Sequence, residues 1–195
     1  MNYNKLMEEE INSLKFTPSI LIHSCCGPCS TSVIDRLKDY FDITVLYYNP
    51  NIEPKEEYEK RKEEQKKVLK LINSNNKLDL LDCDYDNKIY HEAVKGLEEE
   101  KEGGARCKVC YNLRLKYTQI KALEKGFDYF TTTLSVSPFK NAIWINEIGL
   151  SLANEKIKFL PADFKKKDGY KKSIIFSKEY GLYRQDFCGC IYSKN

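Results

Sequence analysis

Seven of the chain's eight cysteines fall in three tight clusters. The first is Cys25-Cys26-Gly27-Pro28-Cys29. A Cys-x-x-Cys near a βαβ pattern reads as a dithiol redox site, and Cys26 to Cys29 has that form. Cys25, directly beside it, has no place in a lone dithiol. Adjacent cysteines either close a strained vicinal disulfide or ligate one metal centre together. The second cluster, Cys107-Lys108-Val109-Cys110, opens a helical pattern. There it presents two thiols on one side, and the positive helix end favours their ionisation. Two thiolates from each segment make four sulfur ligands, enough for a zinc ion or an iron–sulfur cluster. The third is Cys188-Gly189-Cys190. A disulfide across one residue closes a small ring, departs from relaxed geometry and is easily reduced. Glycine supplies the backbone freedom such a ring needs. This pair suits the passing of electrons better than cross-linking. Cys83 stands alone and reads as a small buried hydrophobe. Cys29 stays open between that reading and a ligand.

The elements that must position these thiols are legible in outline. The length of 195 residues favours one domain with a full core. A hydrophobic fraction of 42% with 31% charged residues is ordinary for a soluble protein. The net charge of +3 is too small to argue for nucleic-acid binding by itself. The basic runs Arg61-Lys62, Lys66-Lys67, residues 165–167 and Lys171-Lys172 read as solvated faces. The opening MNYNKLMEEEINSLK is charged and helical in pattern, without the apolar segment of a secretory signal. No stretch is long and apolar enough to cross a bilayer. The expectation is a cytoplasmic protein, where thiols stay reduced and eight cysteines mean metal ligands or redox groups.

Strand and helix patterns alternate. Residues 19–23, 43–48, 78–81 and 128–134 read as strands, with a short fifth at 157–160. Residues 31–40, 56–73, 88–95, 107–125, 142–154 and 170–180 read as helices. In the first of these Val33, Ile34 and Leu37 share a face, and in the second Val68, Leu69 and Ile72 do. Such alternation predicts a single-domain Rossmann-like parallel sheet with helices on both faces. Ligands of such sheets bind beyond the carboxyl ends of the strands. Cys25 and Cys26 follow the first strand and residues 131–137 end the fourth, so these segments are expected to face one crevice.

With these residues in place, the chain resembles the epoxyqueuosine reductases of the QueH family. The matching segments are HSCCGPCS, YYNPNIEPKEEYEKR, GGARCKVCYNLRL, TTTLSVSPFKN and YRQDFCGCIYS. They occur in order and cover about residues 19–193. The resemblance implies a cobalamin-independent enzyme that removes the epoxide oxygen of epoxyqueuosine at the wobble position of tRNA anticodons, the last step to queuosine. It implies a [4Fe-4S] cluster on Cys25, Cys26, Cys107 and Cys110, and a redox-active pair at Cys188 and Cys190. It also implies an adjacent metal ion, iron or zinc, for which Cys29 is the candidate ligand. The implied fold is of the HUP type, similar to the nucleotide-binding domains of tRNA thiolation enzymes. The turn after the first strand holds a single glycine, which does not support ATP use. The whole is then one iron–sulfur α/β domain, 1–195, with a C-terminal Cys-x-Cys tail. Its partners are a tRNA carrying epoxyqueuosine in the anticodon loop and an electron donor that the sequence does not name.

A zinc-stabilised RNA-binding module and a thioredoxin-like dithiol oxidoreductase are the competing readings. The second gives no role to Cys25, Cys107, Cys110 or the terminal pair. A substrate base must reach the crevice, so a flipped-out nucleotide is expected. Tyr47, Tyr48, Tyr111 and Phe139 lie near that crevice and are candidates to stack on it. Arg106, Arg114 and Lys140 are candidate phosphate contacts. His23 reads as a hydrogen-bonded strand-end residue, and His91 as solvent-facing.

Overall fold

The strand β1 (Ser19–His23) is apolar on both sides. Ile20 and Ile22 face one way and Leu21 the other, and all three are fully buried. A strand buried on both faces belongs at the centre of a parallel sheet. It lies there in the computed structural model, which describes residues 1–193. The other strands are β2 (Asp42–Leu46), β3 (Leu78–Leu81), β4 (Tyr129–Thr132) and β5 (Lys158–Phe159). All pairings are parallel, in the order β3-β2-β1-β4-β5.

Seven helices cover the sheet among the described residues: α1 (Tyr3–Ser13), α2 (Gly27–Leu37), α3 (Lys55–Leu71), α4 (Lys88–Ala93), α5 (Ala105–Glu124), α6 (Ala142–Leu152) and α7 (Gly169–Glu179). On one face Ile20 and Ile22 pack with Met7 of α1, Val33, Ile34 and Leu37 of α2 and Val68 of α3. Tyr170 and Tyr180, at the two ends of α7, close that core. On the other face Leu21 packs with Tyr111 and Leu115 of α5 and Ile145 and Ile148 of α6. Each fully buried Leu or Ile contributes ~1.5–3 kcal/mol. The result is one Rossmann-like α/β domain. Among the described residues no helix is long and apolar enough to cross a membrane.

The chain builds β1 to β3 on one side, then crosses to place β4 on the other side of β1. Such a reversal opens a crevice beyond the carboxyl ends of β1 and β4. The order of elements is the expected one, but two boundaries differ in ways that matter there. Helix α2 starts at Gly27, four residues before the expected start at 31. In sequence Gly27-Pro28 reads as a turn, yet proline is at ease in a first helical turn, where its missing N–H has no partner to lose. Gly27 is there for space: a Cβ would come within 2.8 Å of the Glu64 backbone on α3. Strand β4 ends at Thr132, and Thr133–Val136 tighten into a 3₁₀ turn instead of extending the strand to 134.

Candidate active site

Because α2 starts so early, the first cluster sits on its first turn. Cys26 is the N-cap residue, and its side chain makes no capping hydrogen bond. The sulfurs of Cys25, Cys26 and Cys29 all lie within 4.8 Å of one another. Those of Cys25 and Cys26 are 3.9 Å apart. Across the crevice, Thr133 Oγ1 accepts from the Cys25 N–H at 3.4 Å and lies 3.6 Å from its sulfur. The first and fourth strand ends therefore meet as expected. Three thiols this close do not all ionise, because like charges oppose one another. Hydrogen bonds from Cys26 and Cys29 hold the Cys25 thiol well below its usual range. The Cys25 sulfur in turn pushes Cys26 up to about 12 and raises Cys29.

Beside this group lies a cavity of about 710 Å³. Cys25, Cys29 and Cys188 line it, and two cations face it, the buried Arg114 of α5 and the half-buried Lys140. Neither cation has a carboxylate ion pair among the described residues. Burial acts to lower the pKa of both. For Lys140 the charges of Cys188 and Cys25 more than offset it, and for Arg114 those of Cys110, Cys25 and Cys188 do. Of these sulfurs only that of Cys25 is held low, while those of Cys188 and Cys110 are pushed up, so the two cations are left short of counter-charge. Four buried polar atoms of the same neighbourhood lack a partner among the described residues: Asn49 Oδ1, Asn51 Oδ1, Gln65 Nε2 and Gln185 Oε1. An orphaned buried polar atom costs ~1–3 kcal/mol, and it marks the place of an ordered water, ion or ligand. The three thiols form a group able to hold a metal ion. Soft sulfur donors select zinc, copper(I) or iron–sulfur centres, and the two uncompensated cations fit an anionic metal–sulfur group.

Cys107 and Cys110 sit at the start of α5, outside the tight three-sulfur group. The Cys107 sulfur accepts from the Gly103 N–H at 3.2 Å. Cys110 is 6% exposed and packs with Cys190 and Tyr90. Burial raises its thiol to about 11. Arg114 feels both Cys25 and Cys110, which places it between the two clusters.

The third cluster arrives on the tail after α7. Residues 184–188 form one wall of the cavity. Arg61 of α3 holds that wall: its guanidinium donates to the carbonyls of Cys188 at 3.2 Å and Phe187 at 3.3 Å, and to Glu57 at 2.6 Å. Glu57 also accepts from the Tyr183 hydroxyl at 3.2 Å. The Gly189 carbonyl accepts from the Glu53 N–H at 2.9 Å. Gly189 has φ +95°, and a Cβ there would meet Ile52 Cγ1 at 2.9 Å and the Arg61 guanidinium at 3.1 Å. Cys188 turns to the cavity, whereas Cys190 is 4% exposed with its sulfur 3.0 Å from the Tyr90 hydroxyl. Both thiols are free. The neighbouring Cys188 raises no barrier to charge on Cys190; their hydrogen bond brings Cys190 down to about 6 and sends Cys188 up.

Several expected site residues lie elsewhere. Tyr47, Tyr48 and Tyr111 are buried core residues and present no stacking face, while Phe139 is 75% exposed at the cavity. Arg106 is fully buried, so it is no phosphate contact; it donates to the carbonyls of Leu97, Glu98, Glu100 and Tyr192 and ties a loop to the tail. Arg61 is 2% exposed, not part of a solvated face. His91 is half-buried and hydrogen-bonded: Nε2 lies 2.6 Å from Glu53 and Nδ1 2.9 Å from the Tyr192 hydroxyl. His23 is the hydrogen-bonded strand-end residue expected, at 2.9 Å from both Thr132 Oγ1 and the Tyr48 carbonyl. Cys83 is half-buried, its S–H donating to the Tyr47 carbonyl. Asn49, Asn51 and Gln185 were missed. Asn49-Pro50-Asn51 reads in sequence as a strand breaker, and nothing local marks its amides as cavity wall.

A family model described as epoxyqueuosine reductase QueH matches residues 20–195. Proteins named epoxyqueuosine reductase QueH are similar along the chain. The one from Streptococcus pyogenes is 43% identical over 99% of this chain and 78% of its own length. The one from Staphylococcus epidermidis is 39% identical over 99% and 84%. The one from Thermotoga maritima is 36% identical over 90% of each.

Proposed function

The chain belongs to the epoxyqueuosine reductase QueH family, and from that premise we propose how its residues divide the work of reduction. The enzyme is an oxidoreductase acting on epoxyqueuosine, and its substrate is tRNA. The observation that carries the proposal is a single cavity lined by Cys25 and Cys29 from one cluster and Cys188 from another.

Turning an epoxide into an alkene consumes two electrons and two protons and releases water. Oxidation of the Cys188/Cys190 dithiol to a disulfide releases two electrons and two protons. The halves balance: epoxide and dithiol give alkene, disulfide and water. An external electron donor then restores the dithiol, and cobalamin takes no part. Cys25, Cys26, Cys107 and Cys110 would hold a [4Fe-4S] cluster, and Cys29 would contribute to an adjacent iron or zinc ion. The cluster, when bound, supplies one-electron transfer.

The chain's own residues set the conditions. Arg114 and Lys140 keep anionic sulfur in a buried place by supplying the charge that water supplies elsewhere. Arg61 and Glu53 fix the tail so that Cys188 faces the cavity. Tyr90 holds Cys190 by its sulfur. The substrate is the epoxyqueuosine at the wobble position of the anticodon, flipped out of the loop into the cavity. The whole acts as one iron–sulfur domain in the cytoplasm.

Anaerobically purified protein tests this. About four irons per chain are expected for the cluster, with loss of one oxygen from the nucleoside of epoxyqueuosine-bearing tRNA. Zinc alone would leave the RNA-binding module, and absence of metal with retained turnover would leave the dithiol enzyme.

A further inference from the structure

A cavity of about 710 Å³ has the size of a small-molecule site. It holds one flipped nucleotide, not a loop. The neighbouring nucleotides must lie on its rim, and the rim needs a flat apolar face and a cation to grip them. Both are present.

The turn between the 3₁₀ segment and α6 supplies the first. It is pinned at both ends. Ser137 Oγ accepts from the Phe139 N–H at 3.3 Å, and the Ser137 carbonyl accepts from the Lys140 N–H at 3.3 Å. Asn141 then caps α6, its side chain accepting from Ile143 and Trp144. On this fixed turn consecutive side chains separate. Lys140 is half-buried and lines the cavity with Cys188 and Cys25. Phe139 goes out, 75% exposed, and still lines the cavity. A lone exposed Phe is common on protein surfaces. One carried on a hydrogen-bonded turn at the mouth of a charged cavity is placed to serve as a platform.

Arg184 supplies the second. Its guanidinium stacks on the Tyr170 ring at 5.3 Å. Its polar contacts, to Ser173 and Ser177, are long at 3.4–3.5 Å. No carboxylate pairs with it among the described residues. Both Tyr170 and Arg184 line the cavity. The guanidinium is thus oriented by an aromatic face and left with donors to spare, which is how a backbone phosphate is held.

We propose that Phe139 stacks on an anticodon-loop base next to the flipped nucleotide and that Arg184 binds a phosphate of the same loop, so that these two residues grip single-stranded RNA at the rim. This rests on the tRNA reading above.

The test measures binding of an anticodon stem-loop carrying epoxyqueuosine to the holoenzyme, by fluorescence anisotropy across a salt series. Phe139→Ala is expected to weaken binding about tenfold, and Phe139→Trp to restore it, with the melting temperature unmoved in both. Arg184→Gln is expected to lower the slope of log K against log salt by about 0.7, the value for one single-strand phosphate. Unchanged affinity in Phe139→Ala, or no rescue by Trp, overturns the platform. An unchanged salt slope overturns the phosphate contact. Wild-type conversion of the same stem-loop is followed in parallel. Wild type that binds through this rim but converts nothing sinks the reductase reading and leaves the rim standing. Wild type that converts while both variants bind normally does the reverse.

Discussion

Replacing Arg61 by Met should free the tail without unfolding the sheet. Arg61 is the buried bolt between α3 and the segment that carries Cys188 and Cys190. It makes two charged hydrogen bonds to tail carbonyls, each worth ~1.5–3 kcal/mol. These are not additive, and Glu53 still holds Gly189, so a net local loss of ~3 kcal/mol is the working figure. At 1.4 kcal/mol per decade the open population of the tail rises about 100-fold. Cys190, 4% exposed, reacts only when the tail opens. Iodoacetamide labelling of reduced protein, resolved by peptide mass, should therefore find Cys190 about 100-fold faster in Arg61→Met. Arg61→Lys should fall between, because an ammonium does not span two carbonyls and a carboxylate as a planar fork does. The urea-unfolding midpoint serves as the monitor of global opening and should not change. An unchanged Cys190 rate in both variants refutes the bolt. A parallel fall in that midpoint would show that the loss is global and the reasoning about a separable tail wrong.

Serine at Cys25, Cys26, Cys107 or Cys110 should lower iron content after anaerobic reconstitution, and full iron in all four variants would remove the cluster assignment. Serine at both Cys188 and Cys190 should keep iron and abolish repeated turnover; normal turnover would exclude the pair from the electron path. Leu21→Ala, in the fully buried centre of β1, should cost ~2–5 kcal/mol in urea unfolding, and a loss below ~1 kcal/mol would mean the site collapses around the gap.

Much of the fold was legible because local pattern and tertiary place agree. Ile20-Leu21-Ile22 is apolar on both sides, and it is the central strand. Val33, Ile34 and Leu37 share a face, and that face is buried. The site was legible where chemistry is local, as in Cys25-Cys26 and Cys188-Gly189-Cys190. It was illegible where a residue's place depends on a segment far along the chain. Arg61 lies in a highly charged helix, and the partners that cover it include a tail more than a hundred residues later. Arg106 is covered in the same way by Tyr192. Tyr47 and Tyr48 stand next to the crevice in sequence but both pack into the core just past the end of β2, because the parallel sheet is covered on both faces and each ring enters a different cluster. Gly27-Pro28 misled because the same dipeptide serves a turn and a first helical turn equally well.

The strand order has a consequence for how the protein comes to exist. Strand β1 is complete by residue 23, but its partner β4 begins at 129, and the cavity wall closes with residues 184–188. Contacts so distant in sequence form late and slowly. During synthesis Cys25, Cys26 and Cys29 leave the ribosome long before Arg114, Lys140 and the tail that enclose them. For that interval they are open thiols, exposed to oxidation and to wrong pairing. The finished enclosure therefore sets an order of assembly: a reducing cell keeps the thiols unspent, the sheet closes across β1 and β4, and only then does the chain offer a chamber to anything it must hold.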